Sequence, residues 1–230
     1  MKLREIRGLK YPDEFVIKFF FKHALHVRTG NVLEFGCGNG SNLLLFYEYG
    51  WNVVGFDIAS QALDDAKHNF GMAAVPKVQF HFIQHNLVRG LHGAGLPQLK
   101  FDVILLPSVL YYIPRQSTIT LLKELDSLLN KDALIYLRNR SPRDYRYRRG
   151  IEIERNGFRL TETETGEEGL LNVFYDEWEL VDMLREHLNL DMPSAEVLNV
   201  EFQNPQQGVR IQNSDIIVWG RIKSEDSPSH

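Results

Sequence analysis

The chain has 230 residues, of which 43% are hydrophobic and 24% charged. This is ordinary globular composition; it excludes a fibrous or disordered chain and supports a substantial core without covalent staples. Lys and Arg number 26 against 30 Asp and Glu, a formal net charge of -4, which weighs against a general nucleic-acid binder. The single cysteine, Cys37, excludes an intramolecular disulfide.

Met1 to Lys10 is polar, carries Lys2, Arg4, Arg7 and Lys10, and leads into no apolar signal core. The apolar stretch Phe15 to Phe21 is broken by Lys18 and is too short to span a bilayer. No membrane partner is expected, and the expected setting is cytoplasmic. Pro12 suits the first turn of a helix running to about Val27, because its missing N–H costs nothing there. Asn31 to Phe35 reads as strand one, Ser41 to Tyr49 as a helix ended by Gly50, and Trp51 to Phe56 as strand two. Ser60 is a candidate N-cap for a helix through Asn69, closed by Gly71. Val78 to Ile83 reads as strand three. Val88 to Lys100, with three glycines and a proline, reads as loop. Phe101 to Leu106 is a continuous apolar run suited to a buried strand, Gln116 to Leu129 has a helical period, and Ala133 to Arg138 reads as strand five.

From Asn139 to Tyr175 the pattern turns polar and charged, as expected of an inserted lid, for example a hairpin. Asp176 and Glu179 form a capping-box signature that opens a helix to about His187. Glu196 to Phe202 and Asp215 to Arg221 read as two final strands, an antiparallel pair being one option. Residues 225–230 form a polar tail expected to be disordered. Alternating strands and helices predict an α/β fold with a doubly wound, mostly parallel, seven-stranded Rossmann-like sheet, in one domain over residues 1–224 with the lid inserted at 139–175.

The central motif is Glu34-Phe35-Gly36-Cys37-Gly38-Asn39-Gly40, between a predicted strand and a predicted helix. Glycines let the backbone bend sharply and approach a ligand without Cβ clashes. A dinucleotide fingerprint reads GxGxxG. Here the third glycine comes one residue early, and a carboxylate at Glu34 would repel pyrophosphate. That disfavours a nicotinamide oxidoreductase. The same carboxylate suits a ligand carrying an ammonium and a sulfonium, as S-adenosylmethionine does. Asp57, ending strand two, can accept hydrogen bonds from both hydroxyls of a ribose.

These two motifs, with Gly55-Phe56-Asp57 as the second, resemble the class I S-adenosylmethionine-dependent methyltransferase family, closely over about residues 10 to 140 and loosely beyond. The resemblance implies that Glu34 and the backbone of Gly36, Cys37, Gly38 and Gly40 hold the methionine end of the cofactor. It implies that Asp57 binds the ribose and Ile58 packs on the adenine. Where the family usually has an aspartate for the adenine amine, the sequence reads Gln84-His85-Asn86-Leu87; the Asn86 side-chain oxygen can still accept a hydrogen bond. Leu105 to Tyr112, including Pro107, matches the segment that closes over the cofactor. Cys37 reads as a small buried filler rather than a nucleophile.

Methyl transfer is mainly a matter of positioning and of excluding water, and the sequence carries no fixed catalytic signature. The Asn/Asp-Pro-Pro-aromatic motif of amino-methylating enzymes is absent. Candidates for acceptor contact or proton transfer are Tyr11, Tyr111, Tyr112 and His85, each with packing as the plainer alternative. Arg138, Arg140, Arg143, Arg146, Arg148 and Arg149 cluster after strand five with Tyr145 and Tyr147 between them. Arginine forks suit carboxylates and phosphates, so Arg138, Arg146 and Arg148 are candidate contacts to an anionic small-molecule acceptor. The alternative is that they pair with Glu162, Glu164, Glu167 and Glu168. The histidines are scattered without a carboxylate cluster, so no metal is expected. An RNA or protein methyltransferase and a non-catalytic cofactor-binding module are the rival readings. The sequence leaves the oligomeric state open.

Overall fold

The computed structural model describes residues 3–161 and 164–223; the tail at 225–230 and Glu162 lie outside the described residues. Five parallel strands come first: β1 (Asn31–Phe35), β2 (Asn52–Asp57), β3 (Phe80–Gln84), β4 (Phe101–Pro107) and β5 (Leu129–Arg140). Helix α1 (Glu14–Lys22) precedes β1, and α2 (Ser41–Glu48), α3 (Ser60–Ala73) and α4 (Arg115–Asp126) lie between the strands, except that only a short 3-10 turn separates β3 from β4. After β5 come β6 (Gly150–Glu154), β7 (Gly157–Leu160), β8 (Leu171–Val173), α5 (Glu177–Leu188), β9 (Glu196–Gln206) and β10 (Val209–Arg221).

The main sheet has seven strands in the order β3-β2-β1-β4-β5-β10-β9, as the sequence predicts in number. β10 runs antiparallel to both β5 and β9, and the other pairings are parallel. Alternate strand residues face opposite layers. Leu33, Phe35, Ile104, Leu106, Ile135 and Leu137 pack with α4 and α5. Val32, Val53, Val103, Leu105 and Tyr136 pack with α1, α2 and α3. The chain steps outward from β1 in both directions, to β2 on one side and β4 on the other. That is the topological switch point, where ligands bind beyond the carboxyl ends of the strands.

Several boundaries differ from the sequence reading. Pro12 does not open α1; Asp13 caps it, its Oδ1 accepting from Phe15 N at 2.8 Å and Val16 N at 3.4 Å. α1 ends at Lys22, before Ala24 in the left-handed region, and Leu25–Val27 forms a short 3-10 turn. α3 runs through Gly71 and closes at Ala74, whose φ is 41°. Ser60 is its first residue rather than its cap. The Asp176–Glu179 capping box forms as expected, and α5 ends at Leu188. The inserted segment folds into a three-stranded antiparallel sheet, β6-β7-β8, rather than a simple hairpin. No helix among the described residues is long and apolar enough to cross a membrane.

Candidate functional site

β1 delivers Glu34 to the switch point, and the chain then bends through Gly36, Gly38 and Gly40 into α2. Backbone N–H groups of Gly36 and Cys37 both donate to Phe56 O, at 2.8 and 2.9 Å, which fixes the bend against the end of β2. Gly38 has φ +53°, and a Cβ built on it would meet nothing within 4 Å. The turn is therefore open to a ligand at that residue. Cys37 is buried, with its sulfur only 2.7 Å from where a Cβ on Gly55 would lie. Burial, then the neighbouring Glu34 and Asp57 carboxylates, push its thiol pKa well up. Its surroundings are those of a filler.

Glu34 is only 1% exposed. Asn42 Nδ2 donates to its Oε1 at 2.7 Å, while Oε2 is buried without a hydrogen-bond partner. A buried carboxylate oxygen with no donor is costly unless a ligand supplies one. Burial raises the Glu34 pKa to about 8; the Asn42 hydrogen bond opposes this, and Asp57 and Asp13 add to it. An ammonium group fits such a site on both charge and hydrogen bonding.

Asp57 at the end of β2 accepts from Gly38 N at 2.8 Å through Oδ2 and from Ala59 N at 2.9 Å through Oδ1. An ionised carboxylate keeps further lone pairs for two hydroxyls. Next to it Ile58 is 64% exposed, an apolar surface suited to a planar base. Asn86 uses Oδ1 to accept from Val88 N at 3.1 Å, capping a short turn. Leu87 is buried in the core. Pro107 ends β4 opposite Arg138 of β5. Val109 lies against the glycine turn, 3.0 Å from a Cβ built on Gly36.

The remaining candidates spread out. Tyr11 is 66% exposed, ahead of α1. Tyr111 is buried under the Arg140 guanidinium, 4.0 Å from the ring centre. Tyr112 donates its hydroxyl to Glu167 Oε1 at 2.8 Å, and burial pushes its pKa up, so it is poorly suited to act as a base. His85 bonds Gly90 O through Nε2 at 2.5 Å. A carbonyl only accepts, so that nitrogen carries the proton.

The arginine cluster follows the pairing alternative at Glu167 and takes further partners that the sequence does not mark. Arg138 is held between Asp13 and Asp215, each at 2.6 Å. Arg146 is buried against Asp144, Asn213 and Glu167. Arg140 pairs with Glu167 at 2.7 Å. Only Arg148 of the three proposed acceptor contacts is exposed, and it lies over Tyr147. Carboxylates already occupy the Arg138, Arg140 and Arg146 forks that the sequence offers to an anion. Sequence reasoning also missed Asp13, Asn42 and Asp215. The signals were an Asp just before an apolar helical run, and an Asn inside the otherwise apolar opening of α2.

A glycine turn at the switch point, led by a buried acid and followed by an acid on the neighbouring strand, defines the class I S-adenosylmethionine-dependent methyltransferase architecture. The chain belongs to a methyltransferase-domain family, whose model matches residues 5–203. It is similar in structure to an S-adenosylmethionine-dependent methyltransferase from Methanosarcina mazei, with 22% identity over 84% of this chain and 93% of that one and a TM-score of 0.59. It is also similar to 1,6-didemethyltoxoflavin N1-methyltransferase from Burkholderia thailandensis, crystallised with 1,6-didemethyltoxoflavin and S-adenosylhomocysteine: 15% identity, 92% of this chain, 78% of that one, TM-score 0.59. A third is magnesium protoporphyrin IX methyltransferase from Synechocystis with bound S-adenosylmethionine: 16% identity, 92% and 77% covered, TM-score 0.55. No curated protein matches the chain in sequence. The chain is a methyltransferase enzyme, and membership of that family implies S-adenosylmethionine as its cofactor.

Proposed function

We propose that the chain methylates a small-molecule acceptor that carries no net negative charge. The observation that carries this reading is the mutual neutralisation of the arginines beyond the cofactor turn by Asp13, Asp215, Asp144 and Glu167. An anionic acceptor at Arg138, Arg140 or Arg146 would have to displace a carboxylate from its guanidinium, which costs several kcal/mol. A small acceptor also fits the toxoflavin-precursor enzyme, which shares this fold. The bound cofactor supplies an electrophilic methyl on sulfur, which leaves as a neutral thioether.

The residues of this chain hold and shield it. Glu34 Oε2 receives the ammonium, and the backbone of Gly36 to Gly40 lies along the methionine end. Asp57 takes the ribose hydroxyls, Ile58 the adenine face and Asn86 its edge. Val109 and Tyr111, behind Pro107, wall the acceptor side.

Two experiments test this assignment. With labelled S-adenosylmethionine and a fractionated metabolite pool, label should enter small molecules that pass through an anion exchanger. Label found only in the retained fraction, or only in RNA or protein, would overturn the acceptor reading. Gly38→Ala places a methyl in open space at a positive φ, so it should cost about 1–2 kcal/mol of stability. It should also weaken S-adenosylmethionine binding at least about tenfold by meeting the ligand. Calorimetry that finds unchanged affinity would remove Gly38 from the cofactor's path.

A further inference from the structure

One side-chain amide joins the cofactor carboxylate to the first helix. Asn42, the second residue of α2, is buried. Its Nδ2 donates to Glu34 Oε1 at 2.7 Å, and its Oδ1 accepts from Asp13 N at 2.8 Å. Asp13 caps α1 with Oδ1 and binds Arg138 with Oδ2, and Arg138 reaches on to Asp215. The contacts run without a break from the end of β1, through α2 and the α1 cap, to Arg138 near the end of β5 and Asp215 in the middle of β10. The amide satisfies both ends of its part, because it donates on one side and accepts on the other. An aspartate could only accept, and a leucine could do neither.

The rest of the N-terminal segment is tied to the same turn. Asn39, between Gly38 and Gly40, donates to Arg7 O at 2.6 Å and Leu9 O at 2.9 Å. Asn69 of α3 accepts from Arg7 N at 2.9 Å and donates to Asn39 O at 3.1 Å. The segment ahead of α1 therefore meets the glycine turn through Arg7 and Leu9, and meets the cofactor carboxylate through Asp13.

We propose that Asn42 is a positioning residue that aims Glu34 at the cofactor's ammonium and, with the same side chain, docks the α1 cap onto the cofactor site, so that cofactor binding tightens the segment that leads into α1. This rests on the assignment of Glu34 to the ammonium. Coupling of this kind is reciprocal: whatever orders the α1 cap also favours the cofactor. The groups facing the Glu34 carboxylate are Asn42 from α2, Asp57 from β2, Asp13 from α1 and the Cys37 thiol of the turn. Of these, Asn42 alone stabilises the charged form, by donating to it. Removing that donor moves the pH midpoint for binding upward, an effect that loosened packing alone would not produce.

The test uses the full chain with Asn42→Leu and the near-isosteric Asn42→Asp, and S-adenosylhomocysteine as the probe. Affinity is followed by calorimetry from mildly acidic to mildly alkaline pH, and amide exchange of Phe15 and Val16 is measured with and without the probe. Both variants should bind about tenfold or more weakly, the worth of one charge-assisted hydrogen bond. Their pH midpoints should move upward, and the probe should no longer protect the α1 amides. Weaker binding with an unmoved midpoint and retained α1 protection overturns the proposal, as does affinity within twofold of the parent. If Asn42→Leu fails to fold, Asn42→Asp decides. Glu34→Gln separates the two levels. If it too leaves affinity and pH profile untouched, the Glu34 assignment is wrong; if it removes the profile while both Asn42 variants keep the parent's midpoint, the coupling through Asn42 is wrong.

Discussion

Glu34→Gln is expected to weaken S-adenosylmethionine binding by about 10- to 100-fold and to remove its pH dependence. The parent protein should bind more tightly as pH rises towards about 8, the value to which burial lifts the Glu34 carboxyl, and should level off above it. The cation needs the ionised acid, and below that pH a proton must leave before the ammonium can be paired. Ligand-free stability should move the opposite way. The folded state holds this proton more tightly than the unfolded chain, where a glutamate titrates near about 4.3. The stabilisation is therefore complete below the unfolded value and is lost as pH rises through about 8. Glutamine stays neutral, so thermal melts of the variant should lack that decline. Calorimetry and melts at several pH values check both trends. Equal affinity in parent and variant, with parallel pH profiles, would mean that Glu34 does not meet the ammonium.

The sequence makes the cofactor turn legible because its constraints are local. A strand must end, the backbone must bend through positive φ, and a helix must begin, all within Glu34 to Ser41. Glycine spacing and an acid in register record that directly. The Asp176 capping box is legible for the same reason, since donor and acceptor lie three residues apart. Arg138 is the opposite case. Its partners Asp13 and Asp215 lie 125 and 77 positions away, and nothing near Arg138 marks them. Six arginines close together therefore look like an anion site, although folding has already given four of them, Arg138, Arg140, Arg143 and Arg146, carboxylates. Glu167 was among the partners considered, and it is the one that Arg140 and Arg146 share. Asn42 was illegible because its role exists only once β1 and α1 are side by side. The misplaced start of α1 shows a local conflict: Pro12 satisfies the rule for a first turn, but the Asp13 side chain can bond the free N–H groups and proline's cannot.

Glu167→Ala is expected to cost about 3–5 kcal/mol, the range for removing one partner from a buried ion pair. For a chain of this size that is a fall in melting temperature of roughly 10 °C. Glu167 is a buried hub. It accepts from the Tyr112 hydroxyl at 2.8 Å, from Thr165 Oγ1 at 2.8 Å and from Arg140 at 2.7 Å, and it also pairs with Arg146. It thereby ties the segment beside the small sheet to the ends of β4 and β5. Burial alone would raise its carboxyl, but Arg140 and the hydrogen bonds from Arg146 and Thr165 outweigh burial and hold it at about 2. Its stabilisation is therefore present above the unfolded value and is lost as pH falls through about 2. Glu167→Gln keeps the shape and loses the charge, so its deficit should be clear in urea unfolding at neutral pH and should shrink in strong acid. The outcome also bears on the acceptor. A neutral-pH deficit below about 1 kcal/mol, the worth of an exposed pair, would mean that solvent can satisfy Arg140 and Arg146 as well as Glu167 does. Those guanidinium groups could then exchange the carboxylate for an anionic acceptor. A large deficit means that they are committed to holding the structure, and that charge recognition of the acceptor must come from elsewhere.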